Sequence, residues 1–185
     1  MFQRLLTALA QALEESQIPY MLIGGQAVLL YGEPRLTQDV DVTLGIDTDR
    51  LDVVLDMIQQ LGWSVLVEDV HAFVKKTLVL PCQNEAGIRV DFIFSFSPYE
   101  RQAIQRAKRV TLGGVGIEFA AVEDLIIHKI IAGRPRDMED IEGILLKNPS
   151  MDQAYIRDWL RQFEEALQIP LVVRFDSLLE EGSHD

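Results

Sequence analysis

An apolar run, Met21-Leu22-Ile23, ends in Gly24-Gly25, and a strand-like segment over 39–44 then alternates Asp39, Val40, Asp41, Val42. Strand side chains alternate faces, so Asp39 and Asp41 point the same way with Cα atoms about 6–7 Å apart. Val40, Val42 and Leu44 take the opposite face. Aspartate is disfavoured in strands, so the pattern predicts a sheet covered on its apolar face with carboxylates on the other. A third acid has the same setting in Ile88-Arg89-Val90-Asp91-Phe92-Ile93-Phe94. Val90, Phe92 and Phe94 share one face, and Asp91 lies on the other between Arg89 and Ile93. An acid inside such a hydrophobic strand is costly unless it is paired or binds metal. The alternative for Asp91 is a salt bridge to Arg89 or to a base on a neighbouring strand.

These parts predict a chemistry. Glycine lets the backbone approach a ligand closely, and N–H groups at a helix start suit phosphate. Gln26 adds a side-chain donor. Paired carboxylates repel each other unless a cation sits between them, and Mg²⁺ prefers carboxylate oxygens. Three carboxylates from two strands fit two-metal phosphoryl transfer, with ions about 3.5–4 Å apart. In that scheme Asp39 and Asp41 ligate the nucleotide-bound ion, and Asp91 completes the second site and helps deprotonate the acceptor. Attack at the α-phosphate of an NTP releases pyrophosphate and leaves a nucleotidyl group on the acceptor.

The remaining pattern predicts an α+β fold, a mixed β-sheet flanked by helices with further helices at the C-terminal end. Residues 1–120 read as the core, 121–175 as a helical part packed on it, and 176–185 as a flexible tail frayed after Phe175. Helices are expected over 2–16, 27–31, 49–61, 98–107, 122–132, 136–146 and 152–167. Strands are expected over 20–23, 39–44, 64–67, 73–80, 88–94, 109–112 and 115–119, with Gly113-Gly114 as a hairpin turn. Asp47, Thr48 and Asp49 compete to cap the helix that Gly62 closes. Residues 81–87 read as a hairpin loop.

The helical half adds Glu123-Asp124-Leu125-Ile126-Ile127-His128-Lys129 and Gly133-Arg134-Pro135-Arg136-Asp137-Met138-Glu139-Asp140. Lys129 follows an apolar stretch, and its ammonium either neutralises β/γ-phosphate charge in a cleft or sits solvated at a helix end. Arg134 and Arg136 either hold phosphates or pair with Asp137 and Asp140. Asp137 also reads as a helix cap. The three histidines have no metal-ligand spacing, and Cys82 has no evident base beside it. A Gly-x-x-x-x-Gly-Lys-Ser/Thr loop is absent, so a P-loop NTPase has no support.

The formal charge is −12, from 17 basic and 29 acidic residues. Such a surface repels nucleic acid in general; Arg101, Arg106, Lys108 and Arg109, with Lys75 and Lys76, are the candidates for a local basic groove. A single cysteine excludes an intrachain disulfide framework. The lack of a long uncharged apolar run argues against a membrane span, and cytoplasmic residence is the expectation.

The ordered set Gly24-Gly25, Asp39-x-Asp41 and Asp91 resembles the nucleotidyltransferase superfamily, which includes DNA polymerase β and kanamycin nucleotidyltransferase. The fuller run Gly24-Gly25-Gln26-Ala27 with Arg35-x-Thr37-x-Asp39-x-Asp41 resembles a narrower group, the AbiEii-like toxins of type IV toxin–antitoxin systems and related bacterial proteins. Asp124-Leu125, Lys129 and Arg136-Asp137-x-x-Asp140 extend that similarity over roughly residues 20–145. The resemblance implies Mg²⁺-dependent transfer of an NMP from an NTP to a hydroxyl of a tRNA 3′ end, a small molecule or a protein, with an antitoxin protein as a further partner. It implies Asp39, Asp41, Asp91 and Lys129 as catalytic residues, the three aspartates being metal ligands. Gly24, Gly25, Gln26, Arg35, Thr37, Arg136, Asp137 and Asp140 are the implied nucleotide contacts. The alternative is a nucleotide- or partner-binding module without catalysis on the same fold.

Overall fold

The computed structural model describes residues 2–95 and 97–181. It is an α+β fold whose strands form one mixed sheet, flanked by helices and followed by C-terminal helices. Two compact units divide the chain: Met1–Gln26 with Leu36–Ala120, and Ala27–Arg35 with Ala121–Asp185.

The first unit holds the strands β1 (Tyr20–Ile23), β2 (Asp39–Leu44), β3 (Ser64–Val65), β4 (Val79–Gln83), β5 (Arg89–Phe94), β6 (Lys108–Leu112) and β7 (Val115–Phe119), in the order β3-β4-β5-β2-β1-β7-β6. β2 runs antiparallel to β1 and parallel to β5. The alternation read from the sequence is realised: Val40, Val42, Leu44, Val90, Phe92 and Phe94 are buried, while Asp39, Asp41, Arg89 and Asp91 stand on the other, more open face. Helix α1 (Phe2–Glu15) buries Leu5, Leu6, Leu9 and Leu13, the stripe its spacing predicts. Helix α2 (Gly24–Tyr31) begins at the diglycine itself, three residues earlier than expected. Asp47 caps a 3₁₀ turn, Thr48–Arg50, by accepting from the Thr48 N–H, and that turn leads into α3 (Leu51–Gln60), whose own N-cap, Arg50, makes no side-chain cap bond.

The expected strand over 73–80 is a helix, α4 (Val70–Thr77), followed by β4. Asp69 caps it by accepting from the Ala72 N–H, and Leu78 ends it in a left-handed conformation, φ 59°. The cap and the terminal Lys75-Lys76 pair outweigh the β-branched residues that suggested a strand. The hairpin loop accordingly shortens to residues 84–88, where the Asn84 side chain accepts from the Ala86 and Ile88 N–H groups. Helix α5 (Pro98–Gln105) is capped by Ser97.

The second unit contains α6 (Val122–Ala132), α7 (Pro135–Lys147), α8 (Gln153–Leu167) and α9 (Leu171–Glu181). Its core includes Leu125, Ile126, Ile130, Ile141, Ile144, Ile156, Leu160, Leu171 and Phe175. The segment Ala27–Arg35 is tied to α7 and its end: the Asn148 amide donates to Tyr31 O at 2.9 Å and Lys147 Nζ to Gly32 O at 3.0 Å. The chain stays helical to Glu181, beyond the Phe175 where fraying was expected, because Leu178 is also buried. Residues 182–185 of the expected tail lie outside the described residues. Among the described residues no helix is long and apolar enough to cross a membrane.

Candidate functional site

In the first unit, the parallel ladder of β2 and β5 pairs Asp39 with Arg89 and Asp41 with Asp91. Asp39, Asp41 and Asp91 therefore share one face of two adjacent strands. Gly24, the first residue of α2, has φ +63°, and a Cβ built there would collide with the Asp41 carboxylate. Gly25 has the same constraint from another side: its Cβ would lie 2.9 Å from that of Thr37. The diglycine is thus a close approach of backbone to the Asp41 side chain and to the loop before β2.

Gln26 and Thr37 organise that loop. The buried Gln26 side chain donates from Nε2 to Thr37 Oγ1 at 3.0 Å, and Thr37 Oγ1 donates to Asp39 O at 3.0 Å. Both were expected to touch nucleotide; in the structure they form a relay that fixes the start of β2. Sequence spacing gave no signal for this contact, since the partners are eleven residues apart across an irregular segment.

Asp91 is held by Arg89, whose Nε lies 2.9 Å from Oδ1 and 3.0 Å from Oδ2. The Asp91 side chain is 16% exposed and that of Arg89 54%. Hydrogen bonding to Asp91, reinforced by the charges of Asp91, Asp39 and Asp41, outweighs partial burial and raises the Arg89 pKa above its ordinary value. The neighbouring Cys82 thiol is pushed up to about 12 by burial and then by the Asp91 charge, so it stays protonated at neutral pH.

Among the described residues, no group of three or more His, Cys, Asp or Glu side chains is gathered for a metal ion. The donor set nevertheless fits a hard divalent cation in its chemistry. It offers carboxylate oxygens from three positions on one face, beside a glycine whose missing Cβ leaves the room that the Asp41 carboxylate occupies. What stands on the third carboxylate is a guanidinium.

The other expected residues lie in the second unit. Lys129 is 6% exposed and its Nζ lies 3.1 Å from Asp137 Oδ1 and 2.7 Å from Asp140 Oδ2. Arg35 grips Asp140 with two bonds, Nε to Oδ1 at 2.8 Å and Nη2 to Oδ2 at 3.0 Å. Arg134 reaches Asp137 Oδ2 through Nε at 2.7 Å, while Asp137 accepts from the Arg134 N–H as part of the α7 cap. Burial raises the Asp137 pKa, but hydrogen bonds from Arg134 and Lys129 outweigh it and hold the carboxyl below its ordinary value. Arg35 and the block 129–140, which the sequence could only list separately, thus meet within the second unit at Asp140. Arg35, Arg136, Glu33, Glu139 and Asp140 line a cavity of about 440 Å³ in this unit. In the basic segment of the first unit, Arg109 is held by Glu118 at 2.9 Å and Glu14 at 3.6 Å.

The model for a family described as "nucleotidyltransferase of unknown function (DUF6036)" matches residues 2–165. The chain belongs to this family. It is a member of the nucleotidyltransferase superfamily, with the polymerase β-like fold. Solved structures agree in fold over 74–99% of the chain. An antigenic nucleotidyltransferase-like protein from Paracoccidioides brasiliensis matches at TM-score 0.57 and 18% identity, covering 96% of this chain and 91% of the other. The antibiotic-resistance factor ANT(2'')-Ia matches at TM-score 0.59 and 17% identity, covering 99% and 97%. The lincosamide antibiotic adenylyltransferase LnuA, solved with lincomycin bound, matches at TM-score 0.52 and 15% identity, covering 74% and 91%. No curated protein matches the chain.

Proposed function

We propose that this chain transfers a nucleoside monophosphate from a metal-bound NTP to a hydroxyl group of a small molecule. The observation that carries the reading is the matched register of β2 and β5, with Asp39, Asp41 and Asp91 on one face beside Gly24. Asp39, Asp41 and Asp91 would hold Mg²⁺, which supplies neutralisation of triphosphate charge and acidifies the attacking hydroxyl. The N–H groups at the start of α2, bare of side chains at Gly24 and Gly25, are suited to the phosphates. Asp91, once free of Arg89, accepts the acceptor's proton on a carboxylate oxygen. The Gln26–Thr37 relay keeps β2, and with it Asp39, in place. Lys129, Asp137 and Asp140 are assigned to holding the second unit together, with Arg35 and Arg136 as the cationic lining of its cavity.

A small-molecule acceptor is favoured over tRNA by the charge of −12, which disfavours polyanions. Support also comes from the end-to-end likeness to ANT(2'')-Ia, one structure of which contains adenylyl-2''-tobramycin. The toxin role, with tRNA as acceptor and an antitoxin as partner, rests on the motif resemblance. A second reading, binding without transfer, is favoured by the grip of Arg89 on Asp91.

The test is incubation with Mg²⁺, each α-labelled NTP and three acceptor pools: aminoglycosides, lincosamides and total tRNA. Label should pass to a small-molecule pool and fall at least about a hundredfold in Asp39→Asn and Asp41→Asn, as loss of transition-state charge stabilisation requires. Transfer that survives both substitutions rejects the assignment, transfer only to tRNA rejects the acceptor, and nucleotide binding without transfer to any pool supports the second reading.

A further inference from the structure

Three carboxylates and one guanidinium share the open face of β2 and β5. Asp39 is the cross-strand partner of Arg89, Asp41 is that of Asp91, and Arg89 Nε sits on both oxygens of Asp91. A divalent ion needs the lone pairs that this guanidinium already uses, and the two cations repel each other. The Asp91 carboxylate is largely covered, whereas more than half of the Arg89 side chain is in solvent, so the arginine is the partner able to swing away without uncovering the core.

We propose that Arg89 is an exchangeable stand-in for the metal: it occupies Asp91 until a triphosphate offers the guanidinium a replacement partner, so that divalent-ion binding and nucleotide binding depend on each other. This rests on the metal–NTP reading of the site. Guanidinium pairs as well with phosphate as with carboxylate, using the same parallel N–H geometry. An ion arriving alone must displace Arg89 and leave it without a partner. An ion arriving with a triphosphate brings the new partner along, and both exchanges become favourable together. In the ligand-free chain Arg89 also keeps the three neighbouring carboxylates from repelling one another, which makes it a positioning residue for Asp91.

The test is titration of the full chain with Mn²⁺, read by loss of the free-ion paramagnetic resonance signal, with and without a mixture of the four α,β-methylene NTPs. Wild type should bind Mn²⁺ weakly alone and much more tightly with the analogues. Arg89→Ala should bind Mn²⁺ alone about tenfold or more tighter, since a like charge has left the site, and should lose most of the nucleotide-dependent gain. Adding Asp91→Asn should abolish the improvement. Should Arg89→Ala fail to fold by circular dichroism, Arg89→Met is judged by the same criteria. Equal Mn²⁺ affinity in wild type and variant overturns the exchange and leaves the metal site standing. Absence of Mn²⁺ binding in both, with or without analogue, overturns the exchange and the metal–NTP reading together.

Discussion

Gly24 is irreplaceable for two separate reasons. Its φ of +63° strains any L side chain, and a Cβ would enter the space of the Asp41 carboxylate. Gly24→Ala is expected to cost about 2 kcal/mol in urea denaturation, the usual range for one residue forced into a left-handed conformation plus local displacement. It should also lower nucleotide–metal affinity, because Asp41 has to move; unchanged affinity in a folded variant would separate the turn from the site. The diglycine and the aspartates were legible in the sequence because strand alternation and a strand-to-helix turn are local patterns. Gln26 was not. It reads as a donor to phosphate, and in the fold one of its amide N–H groups is given to Thr37, a partner that nothing in the spacing selects.

At the scale of elements, β2 and β5 could be placed because two-residue alternation within each strand is a strong signal. Their parallel pairing in matched register could not, since it depends on chain routing between them. The helix α4 was missed because Phe73 and Val74 have strand-like preferences, while the deciding contribution is the Asp69 cap. The network in the second unit was hidden for another reason: Arg35 and Asp140 are 105 residues apart. That network holds two buried carboxylates with three cations, and its single buried cation is Lys129. Lys129→Met should destabilise the chain by about 3 kcal/mol in urea denaturation, because Asp137 and Asp140 lose their shared partner while remaining desolvated. A loss below about 1 kcal/mol, the range of exposed ion pairs, would show that Arg35 and Arg134 suffice.

For the molecule as a whole, the acidic balance and the buried histidine together set the response to pH. Burial pushes the His128 imidazole down to about 4, although the residue as a whole keeps some exposure. The folded state therefore binds its proton later than the unfolded chain, whose histidine titrates near 6.5. As pH falls from 6.5 towards 4 the unfolded state gains protons that the folded state refuses, so stability declines across that window, by on the order of 2–3 kcal/mol for this group. Asp137 acts lower down: its depressed carboxyl supports the fold above the ordinary aspartate value, and that support is lost as pH drops through its folded value. Chemical denaturation at pH 7.5 and 4.5 should show a steeper loss in wild type than in His128→Gln; equal slopes would remove His128 from the account. The fold class was readable along the entire chain, and family membership extends over residues 2–165. The identity of a partner was not readable, because −12 of net charge limits partners by class and not by shape.

The matched ladder of β2 and β5 also governs which changes such a chain can survive over time. With side chains assigned to faces strictly by turns, removing one residue within 39–44 would drive Asp39 or Asp41 into the space of Val40 and Val42 and present valines where the acids had been. Extra residues are better absorbed at the 84–88 turn, provided Asn84 keeps its hold on the Ala86 and Ile88 N–H groups, but length inside β2 and β5 is locked, since losing a single residue would cost the interior and the acidic face together.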